Sequence, residues 1–437
     1  MISLEGICSM VSPLTGIRVL AFTHYAAGPI AAQYFGSLGA EVIKIESRSG
    51  DYQRSGIREP GADPQSPSPY FLGMNRNQRS LAIDLKQPGS REVVERLIEN
   101  ADVLIENFRP GVLDRLGLDY STLAKRWPRL VYCSIAAYDP MGPGRDRSGQ
   151  DLIIQALSGL ASQTGPADGP PVAAGAYVVD TYTAAQAVIG VLAALRHRDL
   201  TGAGQWVRVD MISCGLHILA SETSYALNAK SVPPRGRGGI AHMHQPAPYG
   251  IYATKDGAIA IVAKPELLPR IAETLGVLEE VLPHLEGDGA WLNRDEIALI
   301  LKNQLSRIPQ VEALSLLATA GAWVAPVRTT VEALNDPEIV AGGMVREVES
   351  SYGGSHRVVV EPIKMTKAPL VFERPSPALG EHTWEILGEM GFSKDQIEEF
   401  LAQEIVFSSG AELSTSNGEK SAPSQSFIAG SHARSRS

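Results

Sequence analysis

Apolar residues in the first third of the chain fall into short runs that alternate with segments of helical period. IRVLAFT (17–23), EVIKIES (41–47), LAIDLK (81–86), DVLIEN (102–107) and LVYCSI (130–135) have the length and β-branched content of buried strands. Between the first two, GPIAAQYFGSLG (28–39) carries its apolar residues at helical spacing and ends on Gly39, a usual helix terminator. SREVVERLIENA (90–101) repeats the pattern before the fourth run. Strands alternating with helices predict an α/β fold, a doubly wound, Rossmann-like parallel sheet covered on both faces. Ligands of such sheets bind beyond the carboxyl ends of the strands, so residues just after each run hold the candidate chemistry.

Further on, TAAQAVIGVLAALRHR (183–198) opens a helical block that reaches about residue 228, interrupted by a turn and short strand in TGAGQWVRVDM. SVPPRGRGGIAHMHQPAP (231–248) shifts to Pro, Gly and Arg and reads as a loop. YGIYATKDGAIAIVA (249–263) reads as a hairpin turning at 255–257, followed by helices to about residue 320. The expected organisation is a large α/β domain from 12 to 228 and a smaller α+β domain from 229 to 335. A return segment, 336–406, completes the large domain with VVVEPIKMT and HTWEILGEMG. The Ser-rich end, 407–437, has the composition of a disordered tail.

Composition narrows the class. A chain of 437 residues exceeds one hydrophobic core, and 44% hydrophobic with 20% charged residues describes an ordinary globular protein. The net charge of −9 excludes broad attraction to nucleic acid or anionic membranes, so any anion site must be a local basic cluster. Cys8, Cys133 and Cys214 are scattered and odd in number. They predict a reducing compartment, buried packing roles and no thiolate metal site. No apolar run reaches the ~18 residues of a membrane span, and the N-terminus lacks the layout of a signal peptide. A cytoplasmic location is expected.

Few motifs survive scrutiny. GPGRDRSG (142–149) follows a strand, but its third glycine is misplaced for a dinucleotide fingerprint; Arg145 and Arg147 leave open a phosphate-cradling loop or a solvated basic loop. His242 and His244 share a loop without metal-ligand spacing, and no GxSxG elbow is present. ENFRPGVLDRLG (106–117) is richer. It offers an amide (Asn107), an aromatic face (Phe108) and two guanidinium groups (Arg109, Arg115), with Lys86 ending another strand, a set suited to a flat heterocycle and several phosphates. One acid, Asp180, stands between the small residues of GPPVAAGAYVV and the apolar run after it. From position alone it reads as a helix N-cap.

From about residue 13 to 406 the chain resembles the class III CoA-transferases, the family of formyl-CoA transferase and the carnitine-linked CoA-transferases. The matching stretches include PLTGIRVLAFTHYAAGP, LGAEVIKIE, NRNQRSLAIDLK, ADVLIENFRPGVLDRLG, GPPVAAGAYVVD, ALRHRDLTGAGQ and ALGEHTWEIL. The resemblance implies that Asp180 is a nucleophile passing through an anhydride and an aspartyl-CoA thioester. An unperturbed aspartate, with a pKa of about 3.9, is ionised at neutral pH and needs no partner base. The resemblance also places Ile83, Lys86, Asn107, Phe108, Arg109 and Arg115 at the CoA, makes 12–228 the CoA-binding domain, and implies interlocked homodimers. CoA enters as the acyl-CoA substrate, with no permanently bound cofactor and no metal; the partners expected are acyl-CoA, a small carboxylic acid and a second copy of the chain.

Departures from the family pattern bear on the substrate. Formyl-CoA transferase carries a glutamine where this chain has Ala26, and Ser47 stands at its basic CoA contact. These point away from formyl and oxalate as the substrate pair; the donor expected is succinyl-CoA or a similar short acyl thioester. RGRGGIAHMHQP keeps Gly238, Gly239, Gln245 and Pro246 of a loop that covers the reacting centre in the family. Two other readings stand beside the transferase. One is an α-methylacyl-CoA racemase-like epimerase, but those enzymes carry a histidine in a GHD stretch, and here GQD places Gln150, which accepts no proton at neutral pH. The other is a non-catalytic CoA-binding protein, which would have no need of Asp180.

Overall fold

The computed structural model describes residues 11–58, 60–61 and 66–409. Twelve strands run in chain order: β1 Arg18–Phe22, β2 Glu41–Glu46, β3 Arg79–Ile83, β4 Val103–Glu106, β5 Val131–Ala136, β6 Trp206–Asp210, β7 Gly250–Ala253, β8 Ala258–Val262, β9 Trp323–Pro326, β10 Val345–Glu349, β11 Ser355–Val359 and β12 Val406–Phe407. Seven of them form one sheet in the order β12-β3-β2-β1-β4-β5-β6, parallel throughout except for β12. The Ala27–Ser37 and Val178–Thr201 helices pack on one face with Val19, Ala21, Val103 and Ile105. The Ser90–Glu99, Thr383–Glu389 and Lys394–Ala402 helices cover the other with Leu20, Phe22, Ile43 and Leu104. Residues adjacent in sequence thus serve opposite cores, and strands buried on both faces read as continuous apolar runs.

A three-stranded antiparallel sheet, β7-β8-β9, has its own core. The Leu268–Thr274, Arg294–Leu305 and Gln310–Thr319 helices pack on it, with Ile259, Ile261, Leu301 and Leu317 fully buried. The 249–263 hairpin forms as the sequence pattern indicates. β9 and the β10–β11 hairpin have no counterpart in that pattern. The chain then returns along the large sheet. Val371 N–H donates to Ser37 O, and Phe407 pairs with Ala82. Phe407, expected as the first tail residue, is therefore the last rung of the sheet; beyond 408–409 the tail expectation falls on 410–437, outside the described residues.

Other expectations shift locally. The 183–198 helix begins earlier and spans Val178–Thr201. It is long and apolar enough to cross a membrane by length and composition, contrary to the sequence expectation. Ala184, Ala187, Val191 and Ala194 are buried in the core of the sheet, so its apolarity is that of a core helix. The LAIDLK strand ends at Ile83, and Asp84 turns the chain by accepting the Lys86 N–H at 3.0 Å. Cys133 and Cys214 are buried free thiols, while Cys8 lies outside the described residues.

Candidate functional site

The strand order places β1 beside β4, and the chain leaves their carboxyl ends toward opposite faces of the sheet. A crevice forms at such a switch point. Thr23 to Ala27 leave β1 there, and Asn107 to Pro110 leave β4. The Ala27–Ser37 helix starts at Ala26, which has no side chain able to cap it. Its first amides are therefore free for an anion brought from elsewhere. The Asp180 carboxylate stands near that helix start, where the Ala27 N–H favours its charged form.

Asp180 does not cap its own helix, as its position in sequence suggests. The N-cap is Tyr177, which offers no side-chain bond, and Asp180 sits in the first turn. The cap comes from Asp151, whose Oδ2 accepts the N–H of Val179 at 2.8 Å and of Asp180 at 3.0 Å. Gln155 Nε2 donates to Asp151 Oδ1 at 2.5 Å, and Gln155 Oε1 accepts the Ala174 N–H at 2.9 Å. Two residues of one short helix thus brace the irregular segment of small residues that delivers the nucleophile candidate. Burial, reinforced by the charge of Asp151, pushes the Asp180 carboxyl up to about 7, against the pull of the Ala27 N–H. This corrects the expectation of a fully ionised aspartate: near neutrality the group is divided between its two forms.

Asn107 reaches the same helix end from β4. Its Oδ1 accepts the His24 N–H at 2.9 Å and its Nδ2 donates to His24 O at 2.8 Å, extending the β1–β4 ladder by a side chain. Gly28 is required next to it, because a Cβ there would lie 2.7 Å from Asn107 Cγ. Asn107 and Asp180 thus meet at consecutive residues, Gly28 and Ala27, although 73 positions separate them in sequence. The Phe108 ring lies edge-on to His24 at 5.2 Å. Arg109 is exposed, and its charge acts on His24, whose ring is held below the usual imidazole range chiefly by burial.

Tyrosines rim the crevice. Tyr25, in the left-handed region at φ 64°, is held by Asp51 Oδ1 and packs at 5.1 Å on Tyr52. A non-glycine residue in that conformation persists only where its surroundings fix it. Asp51 also binds the fully buried Lys44 at 2.8 Å, and Lys44 donates to Thr23 O. Tyr177 meets Tyr70 at 5.9 Å, and burial together with the charges of Tyr70 and Asp180 raises its phenol.

Lys86 and Arg115 line one cavity of about 220 Å³, together with Leu85, Arg91, Arg126 and Trp127. Glu95 neutralises part of this basic wall by pairing with Arg91 at 2.8 Å and Arg126 at 2.7 Å. Ile83 does not join them. It is wholly buried in the core and paired with Val406, so its side chain packs the sheet rather than a ligand. In the GPGRDRSG loop Arg147 lies 4.8 Å over the Tyr138 ring, and the exposed Arg145 sits beside Asp146. His242 pairs with Glu222 at 2.9 Å. Asp151 is the residue that sequence reasoning missed. Its partners are backbone amides 28 and 29 positions away, and its one visible signal is its place in the GQD stretch.

Comparison with known proteins gives a consistent picture. The sequence model of CoA-transferase family III matches residues 14–383. Succinate--glutarate CoA-transferase of Agrobacterium fabrum is 33% identical, with 86% of this chain and 96% of that protein covered. Formyl-CoA:oxalate CoA-transferase of Streptomyces avermitilis is 31% identical, covering 89% and 98%. A CAIB/BAIF family protein from Brucella suis superposes with a TM-score of 0.77 at 31% identity, covering 87% of this chain and 99% of that one.

Proposed function

The chain belongs to CoA-transferase family III, and from that premise we propose that it moves CoA from a short acyl-CoA to a small carboxylic acid with Asp180 as nucleophile. The observation that carries this reading is the convergence of Asp180 and Asn107 on Ala27 and Gly28 at the switch-point crevice. In the proposed sequence an Asp180 oxygen attacks the thioester carbonyl, the C–S bond breaks, and CoA leaves as thiolate from an acyl–aspartyl anhydride. The thiolate attacks the aspartyl carbonyl, the C–O bond breaks, and the donor acid departs, leaving an aspartyl-CoA thioester. The acceptor carboxylate repeats the first step on that thioester, and the thiolate repeats the second on the acceptor's carbonyl. The products are a new acyl-CoA and free Asp180, with no net proton change.

Each residue has a task in this scheme. The Ala27 N–H orients the attacking carboxylate, and Asp151 fixes the backbone that carries it. Burial limits water at the anhydride. Asn107 and Phe108 shape the crevice for the pantetheine arm. Lys86 and Arg115 supply charge for the nucleotide phosphates in the 220 Å³ cavity. The related succinate–glutarate transferase directs the choice of substrates to four- and five-carbon dicarboxylates. We further propose a homodimer as the working unit.

The test is exchange. The protein is incubated with a panel of acyl-CoAs and free acids, new thioesters are measured by mass spectrometry, and hydroxylamine traps the adduct on the peptide holding Asp180. Exchange that persists in Asp180→Ala overturns the mechanism. Deuterium uptake at the α-carbon without exchange identifies an epimerase, and binding without either identifies a CoA-binding protein.

A further inference from the structure

The four tyrosines that rim the crevice come from four separate segments, and the transfer chemistry above gives them no part. Asp51 holds two of them. Its Oδ1 accepts the Tyr25 N–H at 3.2 Å and the Gln53 N–H at 2.9 Å, which caps the Tyr52–Ser55 turn of helix and sets Tyr52 against Tyr25. Ser68 holds the third. Its Oγ accepts the Tyr70 N–H at 3.1 Å, and its own N–H donates to Arg54 O at 3.0 Å, so the Pro69–Met74 helix is tied to the Tyr52–Ser55 turn. Tyr177 closes the group against Tyr70, three positions before Asp180. The rings are packed, but their hydroxyls are unspent. Those of Tyr132, Tyr252 and Tyr352 each donate to a backbone carbonyl, whereas those of Tyr25, Tyr52, Tyr70 and Tyr177 make no hydrogen bond among the described residues.

We propose that Tyr52 and Tyr177 are specificity-determining residues that donate their hydroxyls to the distal carboxylate of a four- or five-carbon dicarboxylate, while its reacting end faces Asp180. The proposal rests on the transferase reading of Asp180. A carboxylate leaving water needs donors for its oxygens, and hydrogen bonds to a charged acceptor are the strong ones. A guanidinium or ammonium group could supply them, but beside the nucleophile it would also pair with Asp180 and hold back its charge. Among the described residues no cation acts on the Asp180 carboxyl. Neutral phenols bind the substrate and leave the attacking carboxylate unpaired. Tyr177 is placed for this: burial first, and then the charges of Tyr70, Asp180, Asp151 and Tyr52, raise its phenol, so it stays a donor in the company of the nucleophile. Tyr52 is the most exposed of the four. Tyr25 and Tyr70 hold the two donor rings in place by packing on them. Donor and acceptor acids enter the same crevice in turn, so one pair of hydroxyls serves both.

The experiment measures acceptor selectivity with the full-length protein and saturating succinyl-CoA. It compares glutarate with pentanoate, which matches its chain but lacks the distal carboxylate, and with 3-phenylpropanoate, which carries a ring at that end. Wild type should favour glutarate over both. Tyr52→Phe and Tyr177→Phe keep the rings and remove the hydroxyls, and each should lower the ratio of kcat/KM for glutarate to that for pentanoate about tenfold, through KM for glutarate. A loss of fold would lower the rates with both acids together and leave that ratio in place. The two variants test the proposal separately where one of them folds poorly. A glutarate to pentanoate ratio that survives in both Phe variants overturns the proposal, and so does a wild type that prefers 3-phenylpropanoate, since the rings and not the hydroxyls would then select the acid. Absence of exchange with every acid instead overturns the transferase reading, and the proposal with it.

Discussion

The Asp180 carboxyl is pulled three ways, and the order of those pulls predicts how the enzyme responds to pH. Burial raises it, the Asp151 charge raises it further, and the Ala27 N–H lowers it, leaving a value of about 7. Only the anion attacks a thioester, so kcat/KM for exchange should rise about tenfold per pH unit below 7 and level off above it. A rate that is flat from pH 5 to 8 would show the attacking group to be something else. Asp151→Asn keeps an acceptor for the two amides but removes the charge, so the limb of the same profile should shift to lower pH. Asp151→Ala also loses the cap, at a cost of about 1 kcal/mol in stability. A rate profile unmoved by Asp151→Asn would show that the two acids do not interact. Legibility at this scale follows the range of the interaction. Lys86, Arg115, Asn107 and Phe108 were singled out because their side-chain types suit a phosphate-rich ligand, and the structure puts Lys86 and Arg115 on one cavity. Ile83 lies in a strand buried on both faces, which gives no alternation that separates lining from packing. The pKa of Asp180 was unreadable, since its causes come from residues 29 positions away and from burial.

Two elements at the crevice start without caps of their own. The Ala27–Ser37 helix starts beside the Asp180 carboxylate and the Val178–Thr201 helix is capped by that of Asp151, so each start is shaped by a different part of the chain. That is why the latter helix was expected to begin at 183. VVDTY has β-branched residues, its one capping signal, Asp180, places a helix start after itself, and its helical form is decided by tertiary partners. β9 escaped notice for another reason: Trp323 at its head is 79% exposed, so WVAP lacks the apolar alternation of a half-buried strand. β2 was legible as a strand, but not as one that buries charge. Lys44 and Glu46 lie in the sheet interior and take their counter-ions from Asp51 and Arg54 in the Tyr52–Ser55 turn of helix and its cap, at 2.8 and 2.6 Å. Removing one member leaves the other buried and unpaired. Lys44→Met should therefore cost about 3–5 kcal/mol in denaturant unfolding. It should also release Asp51 from its hold on Tyr25, lowering kcat as well as stability. A fall in stability with unchanged kcat would separate the ion pair from the crevice.

At the scale of the whole molecule, the single chain leaves apolar side chains on its surface along the helices next to the crevice. Leu152 is 62% exposed, Ile189 58% and Leu216 50%. Burial of such a face is worth roughly 25 cal/mol per Å². Light scattering should accordingly give twice the 46.8 kDa chain mass, and the charge substitution Ile189→Lys should reduce it to one; a monomeric wild type removes the homodimer proposal. The molecule also carries a conflict between stability and action. Asp180 and Glu106 are held from ordinary values of 3.8 and 4.5 up to about 7, which corresponds to about 4 and about 3 kcal/mol. For an acid raised in the folded state, the unfolded chain binds fewer protons between the two pKa values. Stability from these groups is therefore full below pH 4 and is lost as pH rises through 7. Glu46 and Asp51, held below the carboxylate range by Lys44 and Arg54, add stability only above about pH 4. His24, His244, His356 and His382, lowered by burial, gain stability as pH rises toward 6.5. The raw melting curve sums these opposing slopes, so the informative quantity is a difference. Tm of the Asp180→Asn, Glu106→Gln double variant minus that of wild type should be small at pH 4, grow to about pH 7 and level off above it, following the range in which the exchange rate of the wild type climbs. A difference that stays constant with pH would mean that neither acid is held neutral by the fold, and the ionised nucleophile would then come at no cost to stability.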